Sequence, residues 1–257
     1  MHVPHLMAAE KARACGIPLP SEAAEIESNV MDSANHVVCL SRHEALTLQT
    51  LYGRNNGVLV PNGVDDHLLH VPLPPRKPRR PLHVLVIGRP VAQKCFNITL
   101  EAVDLALSRN FPMRFRLLLH SAEAATMGAG LVAALRRLTR DRRVRVEFDA
   151  QRTGVYAAIG WADVLLHPAN TETQGLAVME ALAAGRPVVC RPLPVYEEQF
   201  GSLRHLRYAN GGDAEAFMDE LLSIQSEGVP GCDAEQARAS VTKFATTNFK
   251  RYLDLLL

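Results

Sequence analysis

From residue 82 onward, short β-prone runs alternate with helical patterns, and no other feature limits the fold so strongly. The order is "LHVLVI", "NITLEAVDLALS", "FRLLL", "GLVAALRRLT", "VRVEF", "TGVYAAIGWA", "DVLLH", "GLAVMEALAAG", "PVVC" and "HLRYA". Strands separated by helix-length segments pair in parallel and carry helices on both faces. The runs "DVLLH" and "PVVC" are apolar almost throughout, as strands covered on both faces must be. The expectation is an α/β chain built on a Rossmann-like, doubly wound parallel sheet.

The front of the chain reads as a smaller unit of the same kind. Ser41 followed by Glu44 in "SRHEALTLQTLYG" is a capping box opening a helix that Gly53 closes, and "HVVCL" precedes it as a strand. The segment "VPLPPRKPRRP" then places five prolines and four basic residues in eleven positions, which excludes a regular element. A division follows: residues 1–64 as a partial N-terminal α/β unit, 65–81 as a proline-rich basic linker, and 82–257 as the main domain. The last stretch, "AEQARASVTKFATTNFKRYLDLLL", reads as a long helix that leaves this domain and packs elsewhere.

Composition narrows the partners. Of 257 residues, 28 are basic and 27 acidic, so no global field recruits nucleic acid, and attraction to phosphate has to be local. Cys15, Cys39, Cys95, Cys190 and Cys232 show no CxxC spacing and read as free thiols, with Cys39 and Cys190 in strand-like runs. The absence of a signal-peptide order and of a membrane-length apolar run points to a cytoplasmic protein.

In an open parallel sheet, ligands bind beyond the carboxyl ends of the strands. Three loops there bear on chemistry. In "VIGRPVAQKCFN", Gly88 ends a strand and permits a tight turn, while Arg89 and Lys94 bring two cations to the sheet edge. They suit a diphosphate, or else they are two solvated cations on an ordinary turn. In "NTETQGLAVMEALAAGRPVVC", Glu172 falls on the loop and Glu180 between one and two turns into the following helix. The N–H groups near Gly175 and Leu176 form an anion site, with no side chain at Gly175 to keep a phosphate away. The two carboxylates either accept hydrogen bonds from sugar and ribose hydroxyls, or sit at a positive helix end and on a wet face. In "GAGLVA", Gly128, Gly130 and Ala133 fit the dinucleotide fingerprint, with Glu147 or Asp149 at the ribose distance, but "SAEAATM" separates them from the preceding strand.

The runs "VVCLS", "VPNGVDD", "VIGRPVAQK" and "DVLLHPANTETQGLAVMEALAAGRPVV" together resemble the retaining GT-B glycosyltransferases of the family 4 type. Residues 82–257 resemble the C-terminal donor half of that fold. The resemblance implies that Arg89 and Lys94 hold the diphosphate, Glu180 the ribose and Glu172 the transferred hexose. It also implies that Gln174, Gly175 and Leu176 present the loop backbone to donor sugar and phosphate. "HVPHLMAAEKARACGIPL" and "EIESNVMDSANHVVCLS" resemble the end of the other domain, putting His5 at a histidine near the sugar and Glu27 in a helix behind it. The rest of that acceptor domain is expected to lie upstream or on another chain. Cys95, Ala169 and Gln174 depart from the family's usual glycine, serine and aromatic residue, and His120 and Asp149 or Ala150 stand where glycines are typical.

What the resemblance implies is transfer of a hexose from a UDP- or GDP-sugar, with retention at the anomeric carbon, to a sugar or lipid-linked acceptor in polysaccharide biosynthesis. Glu172 positions the sugar, with no cofactor and, lacking an Asp-x-Asp pair, no metal. Two rivals remain: a nucleotide-sugar binding module without turnover, and a sugar 2-epimerase sharing the two-domain architecture. "RKPRR" at 76–80 and the arginines of "LRRLTRDRRVR" at 135–145 are a solvated linker and helix face, or a patch docking on an anionic inner membrane surface. An open sheet edge in residues 1–64 is expected to favour self-association.

Overall fold

The structure, a computed structural model, describes residues 8, 12, 16–34, 36–73, 81–124, 127–228 and 231–246. It begins with helix α1 (Ser21–Asp32), strand β1 (Val37–Cys39), helix α2 (Arg42–Tyr52) and strand β2 (Gly57–Leu59). β1 and β2 pair in parallel, Val37 opposite Gly57 and Cys39 opposite Leu59. The Ser41 side chain accepts from the N–H of Glu44 at 3.1 Å, and the Glu44 carboxylate accepts in return from the N–H of Leu40. Gly53 closes α2 in the left-handed conformation, at φ 64°. A small core of Met31, Val37, Cys39 and Leu48 holds this unit together.

A connecting segment carrying the one-turn helix α3 (Asp66–Leu69) leads to the main sheet. There the elements run β3 (Leu82–Gly88), α4 (Phe96–Ser108), β4 (Met113–Leu119), α5 (Ser121–Ala124), α6 (Ala129–Leu138), β5 (Val144–Phe148) and α7 (Arg152–Trp161). They continue with β6 (Val164–His167), α8 (Leu176–Ala183), β7 (Val188–Cys190), α9 (Pro194–Phe200), β8 (Leu206–Tyr208), α10 (Ala214–Glu227) and α11 (Gly231–Thr242). All six strands are parallel, in the order β5-β4-β3-β6-β7-β8. The sheet is the doubly wound α/β expected from the alternation. The chain walks outward from β3 to β5, returns, and walks the other way from β6 to β8. It reverses between β3 and β6, so the loops after those two strands leave to opposite faces and open a crevice.

Strand side chains alternate between two cores. Leu85, Leu165, Val188 and Cys190 pack with α7, α8, α9 and α11, whereas Val84, Val86, Val164, Leu166 and Val189 pack with α4, α6 and α10. α8 is buried from Val178 through Ala183, which explains a helix with almost no polar residue but Glu180.

The long C-terminal helical pattern breaks earlier than expected. α11 stops at Thr242, and the backbone then runs beside the connecting segment: Val64 donates to Phe244 at 2.7 Å and Thr246 to Val64 at 3.0 Å. Tight turns replace the helix there, Phe244 donating to Val241 at 2.9 Å and Ala245 to Thr242 at 3.0 Å, and Ala245 bridges Val64. Residues 247–257, the basic linker run 76–80, and His5 lie outside the described residues. Cys39 and Cys190 are buried free thiols, and burial pushes the Cys39 thiol up to about 12. No helix among the described residues is long and apolar enough to cross a membrane.

Candidate active site

The crevice between β3 and β6 gathers most of the residues singled out in the sequence. Gly88 ends β3, and Arg89 leads on into a 3-10 turn over Ala92–Lys94. Cys95 follows with φ 45° and ψ 50°, in the left-handed region. The residue standing where the family's glycine is usual thus takes a glycine's conformation, at a cost to its side chain. Gly88 itself has an ordinary φ and open space where a Cβ would lie. It ends the strand as expected, and the left-handed position of the loop falls to Cys95.

Beyond β6 the chain runs Pro168 to Gly175, and the N–H of Asn170 donates to the carbonyl of Gln93 at 3.0 Å, stitching the two loops together. This brings Lys94 onto Glu172. Lys94 Nζ forms an ion pair with Glu172 Oε1, and His167 Nε2, on the last residue of β6, lies 2.7 Å from the same oxygen. The Glu172 side chain is 9% exposed. Burial alone would raise its carboxyl, but Lys94 and His167 outweigh burial and hold it at about 2. Glu172 is therefore ionised, and only an acceptor, across the whole neutral range.

Glu180, on the second turn of α8, is also buried, with its Oε1 2.6 Å from Arg152 Nη1 at the start of α7. Burial pushes its carboxyl up, against the pull of Arg152. Arg152 also donates from Nε to Tyr156 Oη at 2.7 Å, and Tyr156 donates to Asp65 in the connecting segment. The His67 ring stacks on Tyr156 at 5.1 Å. The spacing of Glu172 and Glu180 was legible, whereas Arg152, Tyr156, Asp65 and the role of His167 were not. The available signal for His167 was a lone polar residue ending an apolar strand.

The remaining candidates divide. Arg89 is exposed and, with Gly88, Lys94, Thr99, His167 and Pro168, lines a cavity across the strand ends. Leu176 is exposed at the start of α8, which has no side-chain cap. Gln174 turns away from this cavity: it is 1% exposed, its Oε1 accepts from the N–H of Asn62 at 2.7 Å, and its amide donates back to the Asn62 carbonyl at 3.4 Å. Its side chain thus clamps the connecting segment. Gly175 has a close neighbour that its sequence did not signal. Its φ is 77°, and a Cβ there would meet Tyr196 Cε1 at 2.8 Å, so the absent side chain makes room for a buried tyrosine. The "GAGLVA" glycines open α6, with α5 intervening after β4, so they form no strand-to-glycine turn.

A second cavity lies on the far side of Glu172, lined by His43, Asn170, Thr171, Leu193 and Pro194. His43 lies in the first turn of α2, and Glu198 on α9 accepts from the N–H groups of Arg42 and His43, each at 2.8 Å. With Ser41 bonded to Glu44, three of the four N-terminal N–H groups of α2 are satisfied, two of them by the other unit. Glu172 thus sits between a cavity at the strand ends and one facing the first unit. Glu27 accepts from the N–H of Ala8 at 2.7 Å and from the Tyr52 hydroxyl.

A sequence model of family 4 glycosyltransferases in conflict systems matches residues 1–192. The chain belongs to this family. No curated protein matches it. Solved structures share the GT-B fold: sucrose-phosphate synthase from Thermosynechococcus elongatus superposes with a TM-score of 0.76 at 17% identity, covering 99% of this chain and 66% of that one. The Anabaena protein HepE, crystallised with UDP-glucose, gives 0.74 at 14% identity, covering 99% and 70%. A glycosyltransferase from Rickettsia africae gives 0.69 at 15% identity, covering 92% and 66%. The chain therefore spans about two thirds of the length of these proteins.

Proposed function

We propose that the chain carries the donor side of a retaining glycosyltransferase that moves a hexose from a UDP- or GDP-sugar to an acceptor. The observation that carries this reading is the meeting of Lys94, Glu172 and His167 at the reversal point of the sheet, with buried Glu180 on the next helix. On this reading residues 82–257 bind the nucleotide sugar, 65–81 link, and 1–64 belong to the acceptor side.

The chemistry follows from what each group can do. Both contacts to Glu172 converge on Oε1, so Oε2 is the oxygen left to accept hydroxyls of the hexose. With its carboxyl held at about 2, Glu172 is a poor general base and no acid at pH 7, which suits positioning of the sugar and stabilisation of positive charge at the anomeric carbon. Breaking the glycosidic bond leaves negative charge on the diphosphate. Arg89, Lys94 and the uncapped N–H groups of α8 are the groups that would offset it. The acceptor would enter from the cavity at His43. The exposed apolar side chains Ile26, Leu46, Leu51 and Leu59 of the first unit support completion of the acceptor side by a further domain or chain.

Isothermal titration with UDP, GDP and their glucose and mannose derivatives tests the donor site. Micromolar to millimolar binding that is lost in Arg89→Ala/Glu180→Ala is expected; no binding by the folded chain would refute it. NMR of the product anomer reports retention. Binding without transfer to any acceptor would favour a binding module, and epimerised UDP-N-acetylglucosamine would favour the epimerase.

A further inference from the structure

We propose that Arg152 is a specificity-determining residue of the donor site, forming with Glu180 a clamp for the vicinal diol of a ribonucleotide; this rests on the donor-site reading above. Glu180 alone is a buried carboxylate that can only accept hydrogen bonds. Arg152 supplies the complementary half. Its guanidinium contacts Glu180 at 2.6 Å, yet its side chain is 49% exposed where that of Glu180 is 4% exposed. Arg152 therefore covers the carboxylate on the solvent side, and a ligand reaching Glu180 meets the guanidinium first.

The guanidinium is held for this task. Nε donates to Tyr156 Oη, the cation lies 5.0 Å from the centre of the Tyr156 ring, and Tyr156 is fixed in turn by Asp65 and the stacked His67 ring. With Nε and Nη1 engaged, the N–H groups on the exposed side are those that remain to donate to a diol's oxygens while its hydroxyls donate to Glu180. A diol satisfies both members of the pair together, replacing an ion pair by a closed ring of hydrogen bonds. A 2′-deoxy sugar leaves one arm of the ring unmade in a partly desolvated place, where an unpaired charged partner is costly.

The test compares UDP and GDP with their 2′-deoxy counterparts by titration calorimetry on the full chain. Wild-type protein is expected to prefer the ribo form by roughly 10- to 100-fold, the loss expected for one charge-assisted hydrogen bond. Arg152→Ala is expected to weaken ribonucleotide binding and to narrow the preference several-fold, the hydrogen bond to Glu180 keeping the remainder. Arg152→Lys keeps the charge without the fork, is less disruptive to the fold, and is expected to narrow the preference to a few-fold. A merely structural Arg152 would weaken both forms equally, and a ratio unchanged in both variants would overturn the proposal. So would a wild-type protein that binds both forms alike, which would leave the donor-site reading standing. Failure of every nucleotide to bind wild type would remove that reading as well.

Discussion

Replacing Gly175 with alanine tests the local architecture of the site without any ligand. Two costs add. The backbone there has φ 77° and ψ 60°, where an L side chain costs roughly 1–2 kcal/mol. The new methyl carbon would also lie 2.8 Å from Tyr196 Cε1 and 3.1 Å from its hydroxyl oxygen. Tyr196 is fully buried, so the ring cannot swing into solvent, and overpacking of this kind costs roughly 1–3 kcal/mol. The expected loss is about 2–5 kcal/mol, a large share of the roughly 5–15 kcal/mol typical of a domain. Urea unfolding followed by circular dichroism measures it. Pairing the change with Tyr196→Leu separates the two costs: the clash disappears and the strain remains, so the double-mutant cycle is expected to show a favourable coupling of roughly 1–3 kcal/mol. Gly175→Ala within about 0.5 kcal/mol of wild type would refute both parts. An additive cycle would acquit Tyr196 and leave only strain.

Three further outcomes follow from the same geometry. The Glu172 carboxyl is depressed from 4.5 to about 2, so its stabilising effect is complete above pH 4.5 and is lost as pH falls towards 2. Wild-type stability is expected to drop by roughly 3 kcal/mol more than that of Glu172→Gln across this window, and parallel acid-titration curves would contradict the assignment. Cys95→Gly is expected to raise stability by about 0.5–1 kcal/mol, because relief of the left-handed strain exceeds the extra chain entropy of glycine; a lower urea midpoint would count against the strained turn. Removing the Glu198 carboxylate in Glu198→Ala leaves two α2 N–H groups without their 2.8 Å partner and is expected to cost about 1–2 kcal/mol, read from the urea midpoint; an unchanged midpoint would show that α2 does not need α9.

The periodicity that reveals strands and helices is local, and the elements it missed are those with weaker local signals or with partners far along the chain. α10 carries Phe217, Met218, Leu221 and Ile224 on one face behind an Asp213 cap, and it belonged with the other helical patterns. The site carboxylates were legible because Glu172 and Glu180 follow a buried strand directly. Their partners were not, since Lys94 is 78 residues from Glu172 and reaches it only because β3 and β6 are neighbours. Gln174 illustrates a different limit: the resemblance concerned its backbone, whereas its side-chain amide is taken up by Asn62 across the connecting segment, a pairing that no local pattern signals. A buried amide takes the first backbone group that satisfies it, and nothing in a loop sequence specifies which group that will be.

Arg152 shows why sheet order, rather than spacing, brings such a pair together. β5 lies at one edge of the sheet and β6 beyond β3, so the connection between them must cross β4 and β3 on one face. α7 makes that crossing and packs in the same core as α8. Its first residue is thereby delivered to the buried carboxylate of Glu180 from the side of the connecting segment, where Tyr156 and Asp65 complete the chain of contacts. In this chain the reversal of the sheet thus places the start of α7 next to α8. The chemistry then depends on one side chain: an arginine there converts a lone buried carboxylate into a donor–acceptor pair, and an alanine would leave it an acceptor alone.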